Sequence, residues 1–238
     1  MLNSNQKTAS EFAIYEKLWS DALHAFEQGQ PQVDPHLSNK ANDSRRGVTL
    51  VIRPSQSVRD AVAAFIDRLA AVCPGQYYYR PEELHLTVLS AFSGTEHWQQ
   101  EMERIPACRQ VISDVLKTHR PFKIKLHSVT ASPGAILIQG FPADNTLATI
   151  RNELRDAFAQ NGLGDMLDRR YKITGAHMTI MRFHKADGDL HPLIAFLKEN
   201  RETAFGECEI HNLQLIFNDW YASAETVQVL EEYQLPAP

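Results

Sequence analysis

The sequence predicts a duplicated, bilobal α+β fold in which two antiparallel β-sheets face a central cleft and the helices lie on the outside. Two stretches share the pattern apolar-His-apolar-Thr-apolar-apolar, at Leu84–Leu89 and at Ala176–Met181. Each stretch lies within the same predicted order of strand, helix, histidine strand, helix and strand. The two histidines are 92 residues apart (177 − 85), an interval that indicates an internal duplication.

Residues 1–46 are predicted to be an N-terminal extension, a helix to about residue 28 followed by a loop. Apolar residues recur at helical spacing in the first part, and Gly29 ends the helix. The following segment is rich in Pro, Asn, Asp and Ser, as loops are. We expect the extension either to pack on the main body as an appendage or to make a dimer contact.

Residues 47–238 are predicted to form the main domain, with lobes at about 47–133 and 134–238 between which strands can be exchanged. The first lobe alternates strands and helices over 47–53, 55–72, 84–92, 96–117 and 121–130. The second repeats this order over 134–141, 144–161, 175–183, 190–200 and 206–218, and a closing strand follows at 225–232. Two such repeats related by pseudo-symmetry would bring the histidine strands together at one cleft.

Composition restricts the partners that the chain can bind. The 238 residues carry a formal net charge of −5, so no general basic field attracts nucleic acid. We therefore expect a small nucleotide or an RNA end as the partner, and not a long duplex. No apolar stretch is long enough to cross a membrane, and the N-terminus lacks the apolar run of a signal peptide. These features predict a cytoplasmic protein without a membrane partner, and they favour no particular oligomeric state.

The spacing of the cysteines and histidines predicts no metal site. The three cysteines are widely spaced and form no C-x-x-C motif, which argues against both a disulfide framework and a structural zinc site. His97 and Glu101 are four residues apart on a predicted helix, but no third ligand accompanies them, and we interpret them as surface residues.

The histidine and threonine of each motif are two positions apart, and alternate side chains of a β-strand face the same side. His85 and Thr87 should therefore share one face, and so should His177 and Thr179. The number of such matches expected by chance in this chain is about a tenth of one, so two matches indicate a functional pair. The alternative is a pair of half-buried strand histidines that only satisfy backbone groups.

Two histidines and two hydroxyls facing one cleft suit chemistry at phosphorus. Histidine titrates near neutrality, so one imidazole can act as general base while the other, protonated, acts as general acid. The threonine hydroxyls can hold non-bridging phosphate oxygens as charge develops. This scheme requires no metal, and it leaves open which histidine is the base.

With these two motifs the chain resembles the two-histidine phosphoesterases, the superfamily of 2′-5′ RNA ligase-like proteins and cyclic nucleotide phosphodiesterases. The resemblance covers residues from about 47 to the C-terminus. It implies a water-filled cleft and metal-independent hydrolysis of a 2′,3′-cyclic phosphate or a related phosphodiester, without a cofactor. It also implies that His85, Thr87, His177 and Thr179 are the catalytic residues.

Four neighbouring residues are predicted to bind substrate. Tyr79 and Arg80 precede the first motif and could stack on a base or sugar, whereas Tyr171 belongs to a basic-aromatic cluster that can receive phosphates. Arg182 lies three positions beyond Thr179, so regular alternation places it on the opposite face, and only a strand end or a bulge turns it toward the phosphate. The competing interpretations are a solvated charged loop for the cluster that contains Tyr171 and a surface salt bridge for Arg182.

Two other functions are compatible with the same residues. A non-catalytic module that binds a nucleotide or phosphate would use them to hold an anion without turnover. A 2′-5′ RNA ligase would run the reaction in reverse, although the acidic net charge argues mildly against polynucleotide substrates.

Overall fold

The computed structural model describes residues 4–168 and 175–237 of the chain, with side chains from residue 13 onward. The α-helices of this part are α1 Ser4–Glu27, α2 Gln56–Val72, α3 Trp98–Met102, α4 Ile105–Leu116, α5 Thr146–Gln160 and α6 His191–Glu199. The strands are β1 Arg46–Ile52, β2 Tyr77–Tyr78, β3 Leu86–Thr95, β4 Phe122–Ser132, β5 Ala135–Pro142, β6 Ala176–Arg182, β7 Ala204–Ile210, β8 Asn212–Asn218 and β9 Gln228–Gln234. The predicted α+β class is confirmed.

The strands form two antiparallel sheets with matching layouts. One sheet has the order β3-β1-β8-β9, and the other has the order β2-β6-β5-β4-β7. Apart from the short edge strand β2, each sheet begins with a histidine strand, continues with the opening strand of that repeat, and ends with two further strands. The duplication seen in the sequence is therefore also a duplication of sheet topology.

The two sheets do not coincide with the two sequence lobes. Strands β8 and β9 come from the C-terminal end but complete the sheet of β1 and β3, whereas β4 comes from the first lobe and pairs with β5 in the second sheet. The predicted strand at 206–218 is in fact two strands, because the chain leaves one sheet after β7 and enters the other at β8. The alternation of buried residues, Cys208 and Ile210 in β7, shifts by one position to Leu213 and Leu215 in β8, which is where the chain changes sheet.

Bulges interrupt both histidine strands directly after the threonine of each motif. In β6, Thr179 and Met181 pair with the consecutive residues Leu137 and Ile136, so β6 carries one extra residue. In β3, Thr87 and Leu89 likewise pair with consecutive residues of β1, and a second shift of the same kind follows between Ser90 and Phe92. An extra residue changes which side chains face which side of the sheet beyond the bulge.

Helices cover the outer faces of the sheets, as the periodicity predicts. Helix α2 buries Val58, Val62, Phe65, Ile66 and Leu69, which recur at helical spacing. Helix α1 packs against the second sheet, where the ring of Phe26 lies 5.1 Å from that of Phe183 and the ring of Tyr15 lies 6.0 Å from that of Phe141. The N-terminal helix is therefore part of the hydrophobic core of the body.

Helices that could cross a membrane are absent from the described residues.

We predict that Gly140→Ala lowers the free energy of unfolding by about 1–3 kcal/mol, the usual cost of overpacking. A methyl group at Gly140 would lie 2.0 Å from the carbonyl oxygen of Ala176 on the paired strand β6, so the backbone would have to shift. Urea unfolding of both proteins measures the difference. The control is Gly134→Ala, where the nearest atom is 3.3 Å away and a smaller loss is expected. Equal losses would contradict the close β5–β6 approach.

Candidate active site

A cavity of about 480 Å³ lies between the two sheets and is lined by both motifs. His85 and Thr87 reach it from the first sheet, and His177 and Thr179 reach it from the second. All four side chains are half-buried, whereas the intervening Leu86 and Met178 are buried in the core. Strand alternation thus places the four polar groups on the faces that the sequence predicts.

A hydrogen bond fixes the ring of His85. Its Nδ1 lies 2.7 Å from the carbonyl oxygen of Glu83, and because a carbonyl can only accept, Nδ1 carries the proton. The Nε2 atom is therefore the one that loses or gains a proton. Glu83 is only 1% exposed, and its carboxylate accepts hydrogen bonds from the backbone N–H of Arg80 (2.9 Å) and of Ala224 (3.2 Å). This network attaches the segment before β3 to the loop after β8.

Desolvation makes both imidazoles weak bases in the cavity without substrate. Burial lowers the pKa of His85 to about 4, and the positive charges of Arg53 and Arg182 act in the same direction. Burial also lowers the pKa of His177 to about 4, with Arg151 and Arg182 contributing. Both rings are therefore neutral near pH 7 until an anion enters the cavity.

A buried arginine supports the first histidine strand at its bulge. Arg151 of α5 is 3% exposed, and it donates from Nη2 to the carbonyl oxygen of Thr87 (2.6 Å) and from Nε to that of Val88 (3.1 Å). These carbonyls belong to the bulge, where the regular pairing with β1 is interrupted. Arg151, on helix α5 of the second repeat, thus stabilises the histidine strand of the first repeat.

Arg182 lies on the cavity side of β6 because of the bulge after Thr179. The extra residue brings Arg182, three positions further on, to the same face as Thr179, and the side chain lines the cavity. Its Nε donates to the hydroxyl oxygen of Tyr79 at 2.9 Å. Burial opposes the charge of Arg182, but interactions with Tyr79 and Asp34 outweigh it and raise the pKa of the guanidinium. The cavity therefore holds a permanent cation.

The other three residues that were predicted to bind substrate differ in their positions. Tyr79 lines the cavity but is only 3% exposed, so it supports Arg182 and offers little surface for a base to stack on. Arg80 is not among the cavity-lining residues, and its guanidinium instead donates to Glu83 (2.9 Å) and Glu225 (2.6 Å). Tyr171 lies outside the described residues.

Further cavity residues follow from the bulges of β3. Ser90 and Ser93 line the cavity at three-residue intervals from Thr87, since each bulge returns the following polar residue to the same face. Ser90 corresponds to Arg182 in the duplicated motifs, His-Leu-Thr-Val-Leu-Ser and His-Met-Thr-Ile-Met-Arg. Aligning the two repeats beyond the threonine would have identified Ser90, whereas nothing in the sequence indicates the supporting role of Arg151.

No group of three or more His, Cys, Asp or Glu side chains within residues 4–168 and 175–237 is arranged to hold a metal ion.

Several solved structures share this fold. The TT0787 protein of Thermus thermophilus is 16% identical, with a TM-score of 0.61, over 79% of this chain and 97% of its own. Escherichia coli LigT in complex with 3′-AMP is 12% identical, with a TM-score of 0.54, over 80% of this chain and 98% of its own. A protein of unknown function from Agrobacterium tumefaciens, ATU0111, is 16% identical, with a TM-score of 0.52, over 84% and 94%.

These similarities show that the chain has the fold of TT0787 and LigT. The sequence itself matches the 2′-5′ RNA ligase superfamily over residues 58–219, more than half of the chain. The chain therefore belongs to the 2′-5′ RNA ligase superfamily. A search of the curated proteins gives no match.

We predict that Arg151→Met destabilises the protein by about 2–4 kcal/mol, because two buried carbonyl oxygens lose a charged donor. Urea unfolding measures this loss. Arg109→Met is the control, since Arg109 pairs with Glu231 on the exposed surface and should cost less than about 1 kcal/mol. A loss for Arg151→Met no larger than that of the control would contradict the supporting role.

The lowered histidine pKa values predict how stability depends on pH. Between about pH 6.5 and pH 4 the unfolded chain binds protons at His85 and His177 that the folded protein does not, so stability should fall as the pH falls through this window. Histidine ring signals in NMR should show both groups neutral down to about pH 5 in the free protein. Inorganic phosphate should raise both pKa values. Titration of both rings near pH 6.5 without phosphate would contradict the account.

Proposed function

We propose that the protein is a metal-independent phosphodiesterase that hydrolyses 2′,3′-cyclic phosphates or related small phosphodiesters, including those at RNA ends. One observation carries the proposal, namely that two His-Thr pairs from opposite sheets line one cavity together with a cation. A pair of half-buried structural histidines would need no shared cavity and no arginine brought to it by a bulge.

The reaction follows from the two imidazoles. One neutral histidine removes a proton from water as the water oxygen attacks phosphorus, and the other, protonated, gives its proton to the ribose oxygen that leaves. One P–O bond forms and one breaks, and the product is a nucleoside monophosphate. The hydrogen bond from His85 to the Glu83 carbonyl orients the ring in both protonation states, so it does not assign the base. The roles can exchange with the direction of reaction.

The remaining polar groups stabilise the phosphate. The hydroxyls of Thr87 and Thr179 donate to non-bridging oxygens as negative charge develops on them. Arg182 supplies the positive charge that attracts the anion, and its planar guanidinium suits phosphate oxygens. The phosphate also compensates the low histidine pKa values, because an anion beside the rings favours the protonated form that the general acid needs.

The size of the cavity favours a small substrate. A volume of about 480 Å³ is within the range of small-ligand sites, and the net charge of −5 gives no extended attraction to a polynucleotide. LigT, which shares the fold, has been solved in complex with 3′-AMP, with phosphate and with ATP. A mononucleotide or the terminal nucleotide of an RNA fits these observations.

The alternatives use the same cavity. A 2′-5′ RNA ligase would join a cyclic phosphate to a 5′-hydroxyl with the same two histidines, in agreement with the description of the superfamily. A binding module would hold the phosphate without turnover.

We predict that EDTA-treated protein converts nucleoside 2′,3′-cyclic monophosphates to a single product, the 2′-monophosphate. Replacing His85 or His177 by alanine should lower kcat about 10²–10⁴-fold, since each removes a general acid or base. Separation of the 2′- and 3′-products by liquid chromatography measures both the rate and the regiochemistry. His97→Ala is the control, because His97 is exposed and is not among the residues that line the cavity.

Turnover that survives both histidine replacements would contradict the proposal. Failure to convert any of the four cyclic nucleotides, together with thermal stabilisation by their monophosphates, would support the binding module instead.

A further inference from the structure

Arg182 requires support from outside its own strand. An arginine side chain has several rotatable bonds, and holding it in one position costs conformational entropy unless neighbours constrain it. The constraint is the hydrogen bond from Nε to the Tyr79 hydroxyl. This bond does not use the two terminal nitrogens, which are the groups that bind phosphate bidentately.

Tyr79 belongs to a cluster of three tyrosines, Tyr77, Tyr79 and Tyr221, which we call the tyrosine cluster. The rings of Tyr77 and Tyr79 pack edge to face at 5.2 Å, and those of Tyr77 and Tyr221 pack at 5.3 Å with a tilt of 51°. Tyr79 and Tyr221 are almost fully buried. Because buried rings are packed closely, displacement of one affects the others.

The N-terminal extension contacts this cluster at both ends. Asp34 accepts a hydrogen bond from the Tyr221 hydroxyl at 3.0 Å. Lys40 donates to the Tyr77 hydroxyl at 3.3 Å, and its ammonium group lies 4.8 Å from the centre of that ring. A further bond joins the backbone N–H of Asp34 to the carbonyl oxygen of Phe183, the residue after Arg182 (2.9 Å).

Charge links the extension to the same arginine. The carboxylate of Asp34 is one of the groups that raise the pKa of Arg182, in addition to Tyr79. Tyr77 also donates to the carboxylate of Glu83 at 3.5 Å, and the carbonyl of Glu83 holds the His85 ring. Asp34 therefore acts on Arg182 of the second sheet, and Lys40 is connected through Tyr77 and Glu83 to His85 of the first.

This segment lies outside the part of the chain that matches the superfamily, which begins at residue 58. The sequence alone allowed an appendage or a dimer contact for residues 1–46, and neither interpretation requires contact with the site. The observed contacts are directed at residues that hold the phosphate-binding groups.

We propose that Asp34 and Lys40 of the N-terminal extension are positioning residues of the active site, which hold Arg182 through the tyrosine cluster. The inference rests on the proposed role of Arg182 in binding the substrate phosphate. It assigns to the extension a function in substrate affinity.

The test compares Asp34→Asn and Lys40→Met in the full chain, each alone and combined with Arg182→Ala. Asparagine keeps the shape of Asp34 and can still accept from Tyr221, but it removes the charge. Each single replacement should weaken inorganic phosphate binding and raise KM by about 5- to 20-fold, with kcat changed less than about twofold, as expected for coupled neighbours. In the Arg182→Ala background the same replacements should change phosphate affinity less than about twofold.

The matched control is Asn42→Ala, which removes a hydrogen bond to Asn39 within the same segment. Within the described residues, no hydrogen bond joins Asn42 to the tyrosine cluster. This replacement should leave KM and phosphate affinity unchanged. A purely structural role for Asp34 and Lys40 would lower the melting temperature and reduce affinity equally with and without Arg182. That result, or unchanged affinity in both single variants, would overturn the inference.

Phosphate affinity is measured by calorimetry, independently of turnover. A wild-type protein that binds phosphate but hydrolyses none of the cyclic nucleotides would contradict the proposed function. The dependence of phosphate affinity on Asp34, Lys40 and Arg182 would still decide the positioning role in that case.

Discussion

A one-residue bulge after each threonine determines which side chains line the cavity. In a regular strand, Arg182 and Ser90 would face away from the histidines, because they lie three positions beyond the threonines. The extra residue in β6 and in β3 reverses their orientation while the apolar residues before the bulge remain in the core. The bulge therefore places a cation, Arg182, in the cavity from one sheet and a hydroxyl, that of Ser90, from the other. Arg151 stabilises the bulge in β3 by satisfying its carbonyl oxygens.

Arginine charges act on both histidines of the cavity. Two imidazoles, two threonine hydroxyls and Arg182 line the cavity, and its lining also includes Arg155, Asp168 and Asp219. Burial and the nearby arginines lower the pKa of both imidazoles. In the proposed reaction, the phosphate of the substrate offsets this effect and raises the pKa of both histidines. The proposal therefore couples substrate binding to the protonation state that acid-base catalysis needs, since the ligand itself supplies the charge that raises the pKa of the general acid.

The histidines and threonines could be located from sequence because they depend only on strand alternation, a local property. Arg182 could be located only conditionally, since a bulge has no signature in the apolar pattern. Tyr79 and Arg80 follow one another in the chain, yet one is buried behind Arg182 and the other pairs with carboxylates, because tertiary partners decide their positions. The exchange of β4 and β8 between sheets and the contacts of Asp34 and Lys40 depend on long-range packing that periodicity does not encode.

The central claim is that both histidine strands act on one phosphate, and a crystal structure with a nucleoside 2′-monophosphate tests it most directly. The account predicts a phosphate between the two sheets, with oxygens within hydrogen-bonding distance of both imidazoles, of both threonine hydroxyls and of Arg182. A phosphate bound by one motif alone, or outside the cavity, would contradict it.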